Sequence, residues 1–273
     1  MNTLSIERRA QIVSLLVEGN GVNAITGIAK NTVLKLLADL GTASERYQAE
    51  HIRNLNCRRV QCDEIWSFCY AKAKNVPARF QGQLGFGDVW TWTAIDADSK
   101  LIIAWHVGRR NARDAQIFMH RVAKRIATRI QLTTDGHAVY FRAVEDAFDR
   151  DVHYAMLVKL YGEDPQDQGE HRYSPAQCVG IRKDVRIGRP DPRHISTSFV
   201  EKHNQTMRQN MRRSTRLTAG HSKKLQNHRH AVALHFMHYN FARICQTIRC
   251  APAMEAGISD HVWSIEELVS LAN

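Results

Sequence analysis

Three carboxylates, Asp63, Asp135 and Glu201, stand in settings that could gather them around a divalent cation. Mg²⁺ and Mn²⁺ prefer carboxylate and water oxygens. A pair of such ions, ~4 Å apart, activates an attacking oxygen and stabilises a leaving one at a phosphodiester. That chemistry needs acidic residues from different elements converging at one edge of a sheet. Asp63 lies in an apolar, β-prone run from Arg59 to Tyr70. Successive strand side chains point to opposite faces, so Asp63 goes with Gln61, Ile65 and Ser67, and Glu64 with the more apolar Cys62, Trp66 and Phe68. The alternation favours Asp63, although a solvated strand end would look the same. Asp135 ends a short strand, Ile130 to Thr134, and Gly136 follows it. Ligands collect outside the carboxyl ends of strands in open α/β sheets, yet Asp-Gly is also a common turn. Glu201 closes Ser198-Phe199-Val200-Glu201, which fits a capping box. Beyond it, Glu201, Asn204, Gln205, Arg208 and Arg212 share one helical stripe, and Phe199, Val200, Met207 and Met211 the other.

The elements that would position these residues are legible in outline. Val89 to Ile95 alternates as a strand, Asp96 to Ser99 turns, and Leu101 to Val107 returns. An amphipathic helix is expected from Asn111 to Thr128, another from Ala138 to Phe148, and a short strand from His153 to Val158. Three strands, a helix, a strand, a helix and a strand predict a mixed α/β sheet flanked by helices. Tyr161 to His194, with four prolines, reads as an irregular insertion, after which helices resume from Ser196 to Ile248.

Ahead of this block, the first forty residues read as three helices. The first runs from Ser5 to Glu18, a short second holds Ala24 and Ile25, and Asn31 is expected to cap a third carrying Val33, Leu36, Leu37 and Leu40. This is a helix-turn-helix pattern, leaving Lys30, Thr32 and Lys35 to face a major groove; small three-helix units also serve as dimerisation pieces. The expected domains are 1–45 for this unit, 46–58 for a polar linker, 59–250 for the α/β core with its insertion at 161–195, and 251–273 for a tail.

Charge points to a polyanion. The chain carries +11, and Arg182 to Arg249 alone holds 15 Lys or Arg against Asp184, Asp191 and Glu201. Cations that neutralise phosphates release condensed counterions. A solvated helix face is the plainer alternative. No run approaches the ~18 apolar residues that span a membrane, and the first residues lack a signal peptide's apolar centre, so a cytoplasmic protein with no membrane partner is expected. The six cysteines form no Cys-x-x-Cys pair and are expected to be reduced and packed. His228, His230, His235 and His238 alternate with apolar residues and are expected to pack or to contact phosphate rather than to hold zinc.

Asp63 in Asp-Glu-Ile-Trp-Ser-Phe, Asp135 in Thr-Thr-Asp-Gly, and Glu201 in Phe-Val-Glu-Lys-His-Asn-Gln-Thr-Met-Arg together resemble bacterial insertion-sequence transposases with an Asp-Asp-Glu triad. The likeness is greatest to the first-numbered insertion-sequence family, and the close at Tyr239-Asn240-Phe241-Ala242-Arg243 is similar to that of many integrase-type cores. The resemblance implies a ribonuclease-H-like core, two Mg²⁺ (or Mn²⁺) ions on Asp63, Asp135 and Glu201, and DNA partners: the element's terminal inverted repeats and a target. It also implies a homo-oligomer on DNA, cleavage at the transposon end, and attack of the freed 3′-hydroxyl on target DNA. Asn204, Arg208, Arg212, Arg213, Arg216, Lys223 and Lys224 would hold the DNA. The sequence departs from the pattern in having no cysteine before Cys57, and Cys245 stands where a histidine is expected. A nuclease of the same fold, or a non-catalytic DNA-binding regulator, is the alternative reading.

Overall fold

Ser5 opens the first helix, accepting a hydrogen bond from the Arg8 N–H, and α1 runs Ile6–Val17. These and the features below come from a computed structural model that describes residues 4–25, 27–162, 178–215 and 218–272. The short second helix is a single 3₁₀ turn at Val22–Ala24. The third is longer than expected: α2 spans Lys30–His51, so residues 46–51, expected to be linker, continue the helix. Its first turn starts after Ala29, and Asn31 lies inside it rather than capping it. Tertiary contacts explain the extension. Ser44 and Gln48 are buried, and Gln48 Nε2 donates to the Ala233 carbonyl, 3.2 Å away, in a helix near the chain's end.

The central strand, β1 (Arg59–Cys69), is covered on both faces. Val60 and Cys62 belong to one core with Phe118 and Tyr140; Ile65 and Cys69 belong to a second with Val200, Met207 and Phe236. A strand buried on both sides reads as a nearly continuous apolar run, which is why its alternation is blurred. β2 (Gly87–Asp96) and β3 (Ile102–Gly108) follow antiparallel. Their turn is closed as expected, with Asp96 accepting from the Ser99 N–H and hydroxyl.

Helix α3 (Ala112–Ala123) crosses to β4 (Gln131–Asp135), and α4 (Val139–Phe148) to β5 (His153–Tyr161). β4 lies parallel to β1, and β5 parallel to β4. The sheet order is β3-β2-β1-β4-β5-β6. An antiparallel meander joined at its third strand to two parallel strands through helices is a ribonuclease-H-like arrangement. The sixth strand, β6 (Cys178–Ile187), pairs antiparallel with β5 and falls within the segment predicted to be irregular. Residues 163–177 of that segment lie outside the described residues.

The second face of the sheet is closed by α5 (Ser198–Asn210) and α6 (Leu225–Met237), the latter ending in a π-helical turn, His238–Ala242. Asn240 pins that turn to the sheet. Its Oδ1 accepts from Ile102 N–H at 2.9 Å, and its Nδ2 donates to Ile102 O at 3.1 Å. α7 (Pro252–Glu255) and α8 (Ile265–Ser270) complete the chain, and the Leu268 and Val269 side chains of α8 join the core of the N-terminal helices. No helix among the described residues is long and apolar enough to cross a membrane.

Candidate active site

Strand register brings the first two carboxylates together. β1 pairs with β4 as far as Cys62↔Thr134, so the next step sets Asp63 beside Asp135. β4 stops at Asp135, while β1 runs on to Cys69. Asp135 therefore sits at a strand's carboxyl end, where Gly136 opens the chain toward α4 and the His137 N–H donates to Asp135 Oδ1 at 3.1 Å. On the neighbouring strand Asp135 pairs with Leu157, and two residues further on β5 stands Lys159.

Glu64 is part of this site, contrary to the strand-alternation reading. Oxygens of Asp63, Glu64 and Asp135 all lie within 4.8 Å of one another, the one such cluster among the described residues. Glu64 does point to the opposite face from Asp63, but because β4 ends at Asp135, that carboxylate is reached from both sides of β1. Glu64 is buried, with Oε1 2.5 Å from Arg110 Nε and Oε2 accepting from the Tyr140 hydroxyl at 2.8 Å. Arg110 also reaches Asp135, with Nη2 3.5 Å from Oδ2. Nothing in the local sequence marks Arg110, which lies between β3 and α3.

Glu201 lines the same open cleft of about 610 Å³ as Asp63 and Asp135 but stands outside the tight cluster. The capping box does not form: the helix starts after Thr197, and no side chain caps it. Instead Thr197 donates its hydroxyl to Glu201 Oε1, and Lys159 Nζ sits 2.6 Å from Oε2. Asn204, one turn along α5, donates its amide to Asp63 Oδ2 at 2.9 Å.

Electrostatics set the character of the cluster. Burial, then the charges of Glu64 and Asp135, push the Asp63 carboxyl up to about 7. Burial and Asp135 likewise raise Glu64, against the pull of Arg110 and Tyr140. Crowded anions with raised pKa values mark functional sites more often than chance. An all-oxygen donor set of this kind also fits a hard divalent cation, whose charge would relieve the crowding.

Residues 79–187 match the family model of a DDE domain, of the IS240 transposase type. Over that segment the chain is similar to DDE domains. The matched segment includes Asp135 and leaves Asp63 and Glu201 outside it. This is the class of insertion-sequence enzyme that the motifs resemble. Among solved structures, a piggyBac transposase in a synaptic complex with hairpin DNA aligns at 9% identity over 100% of this chain and 71% of that one, with a TM-score of 0.43. No curated protein matches the chain.

The residues expected to meet DNA fall into two sets. Lys30, Thr32 and Lys35 are exposed on α2, as are Arg212, Lys223 and Lys224 beyond α5. Others are engaged internally. Arg208 donates to the Ser214 carbonyl at 3.0 Å. Arg213 donates to Ser222 Oγ and the Asn227 carbonyl, and burial lowers its pKa. Asn204 is committed to Asp63. Arg216 lies outside the described residues. The histidines pack: His228, His230 and His235 are buried, and His228 lies between Ser67 Oγ and Ser222 Oγ. All six cysteines are free.

Proposed function

We propose that this chain is the transposase of an insertion sequence, which binds the element's ends and cuts and joins DNA at Asp63, Asp135 and Glu201. The observation carrying this reading is the placement of Asp63 beside Asp135, at the carboxyl end of β4 in a cleft shared with Glu201. A divalent metal, Mg²⁺ or Mn²⁺, would neutralise charge on the phosphodiester and activate the attacking oxygen. The protein's own part is positioning. Asp63 and Asp135 present their oxygens from adjacent strands, and Asn204 orients Asp63 through its amide. Arg110 sets a positive charge beside Glu64 and Asp135.

Lys159, held by Glu201 and at the cleft mouth, is placed to meet a DNA phosphate as Glu201 turns toward the cluster. Arg212, Lys223 and Lys224 would hold backbone phosphates, which sets position rather than sequence. Lys30, Thr32 and Lys35, on the first turns of α2, would read the terminal repeats. Synapsis of two ends implies a homo-oligomer, assembled on DNA in the cytoplasm.

The test is cleavage and strand transfer on DNA from the ends of the element that encodes the chain, with Mg²⁺, comparing wild type with Asp135→Asn. Joined product lost in the variant, with DNA binding retained, is the expected result. Hydrolysis without joining by wild type would leave a nuclease. Tight binding with no cleavage by either protein would leave a non-catalytic regulator.

A further inference from the structure

Helix α5 has two working sides. Glu201, Asn204 and Arg208 recur at the three- and four-residue spacing that makes one helical face, and this face looks into the carboxylate cleft through Glu201 and Asn204. Phe199, Lys202, His203 and Thr206 recur at the same spacing on the opposite side. They line a second cleft, of about 410 Å³, whose far wall is the Lys100 turn between β2 and β3, Tyr239 of the π-helical turn, and the segment after that turn, from Arg243 to Thr247.

The second cleft has a distinct composition. Lys100, Lys202 and Arg243 bring positive charge, Phe199 and Tyr239 bring aromatic faces, and among the described residues no carboxylate lines it. Lys202 is exposed, and Phe199 is 37% exposed. Lys100 Nζ lies 3.4 Å from the centre of the Phe199 ring, a cation–π contact that braces the ring at the rim. At the bottom stands His203, only 2% exposed, with neither ring nitrogen hydrogen-bonded. Burial, and then Arg243, drop its pKa to about 3. The ring is therefore neutral and offers one donor and one acceptor. Burying a polar group without a partner is unfavourable, and of the unpartnered imidazoles His203 and His235 only His203 lines this cleft, where a polar ligand would satisfy it.

We infer that this second cleft takes one unpaired nucleotide of a DNA strand, its base against Phe199 and Tyr239 with an edge toward His203, its phosphate on Lys202 and Arg243. Cationic grooves with aromatic faces are the general means of holding single-stranded nucleic acid. A fully paired duplex could offer phosphates to the two cations, but its stacked bases could reach neither the aromatic walls nor the buried imidazole. A strand passing the start of α5 runs from the carboxylate cleft to this one, because Phe199 and Glu201 are two residues apart on opposite sides of the helix.

The inference rests on the proposed action on DNA, and the experiment separates the two. Fluorescence anisotropy would compare a blunt duplex with the same duplex carrying a short single-stranded overhang. The proteins are wild type, Lys202→Ala, and the double variant Phe199→Ala with Lys202→Glu, each checked for fold by circular dichroism. Wild type is expected to favour the overhang. The double variant should lose about tenfold or more on the overhang probe, since stacking of one base contributes ~1–3 kcal/mol, and a clearly smaller factor on the blunt duplex, which loses only its phosphate contact with Lys202. Lys202→Ala should show a smaller loss of the same selectivity. Equal losses on both probes would reduce the cleft to a phosphate contact and overturn the assignment, as would no loss on either. A wild type that binds and cuts duplex DNA without preferring the overhang also overturns it, while leaving the proposed function standing. Failure of wild type to bind any DNA brings down both.

Discussion

Lys159 Nζ stands 2.6 Å from Glu201 Oε2, so the carboxylate proposed as the third metal ligand already holds a cation of the protein's own. A metal ion recruiting Glu201 must compete with that ammonium. Both side chains are more than a third exposed (35% and 39%), and the pair accordingly contributes at most ~1 kcal/mol. Lys159→Met is therefore expected to tighten Mn²⁺ binding up to about fivefold by calorimetry and to weaken DNA binding in the absence of metal. Mn²⁺ affinity that stays equal or falls would show that Glu201 and the ion do not compete.

The raised pKa of Asp63 makes a pH prediction for the metal-free protein. Its folded value, pushed up to about 7 by burial and by Glu64 and Asp135, lies above the unfolded value of roughly 4. Between these pH values the native state binds more protons than the unfolded chain, so stability falls as pH rises. Below about pH 4 both states are protonated and the penalty is absent; above about pH 7 it is complete. Melting temperature should thus decline from pH 5 to pH 8. Mg²⁺ should flatten the decline, and Asp63→Asn should remove most of it. A melting temperature that rises over this window would mean that Asp63 is stabilised as the anion.

Glu64 is bound on both oxygens, by Arg110 and by the buried Tyr140 hydroxyl. Glu64→Ala leaves that hydroxyl and the guanidinium without their acceptor. Loss of one member of a buried pair costs ~3–5 kcal/mol; with the Arg110 side chain 39% exposed, about 2–3 kcal/mol is expected. Glu64→Gln keeps an acceptor and the shape, and should cost about 1 kcal/mol. Urea denaturation distinguishes them; equal stability of the two variants would remove Glu64 from the network.

The site was legible where one physical rule dominates and illegible where two compete. Strand pattern and a strand-ending Asp-Gly are local signals that single out Asp63 and Asp135, and the register Cys62↔Thr134 sets the two side by side. Glu64 was passed over because alternation was applied without knowing that β4 ends at Asp135. Lys159 and Arg110 carry no local mark; a β5 position and a loop position become partners of Glu201 and Glu64 only in three dimensions. β6 does alternate, with Val179, Ile181, Val185 and Ile187 on one face and Arg182, Asp184 and Arg186 on the other, but it lies in a segment whose four prolines read as irregular, and as an edge strand it leaves Val179, Ile181 and Val185 exposed. The extension of α2 is hidden for the reverse reason: Gln48, in the polar run expected to be linker, is buried and bonded to α6.

Gly41 tests that last contact, because two effects oppose each other there. In an isolated helix, replacing a mid-helix glycine by alanine stabilises by about 0.5–1 kcal/mol, and Gly41 lies inside α2. Against that, a Cβ at Gly41 would meet the backbone and Cβ of His230 on α6, its carbonyl oxygen at 2.7 Å. That oxygen belongs to a helix backbone and cannot swing away as a side chain would. Forced overpacking costs about 1–3 kcal/mol, which exceeds the propensity gain. Gly41→Ala should therefore lower unfolding stability by about 1–2 kcal/mol, with Gly21→Ala, where an added Cβ meets nothing, as the neutral control. A stabilised Gly41→Ala protein would mean that α2 and α6 are not in close contact at this point, and that Gln48 and Ser44 need another explanation for their burial.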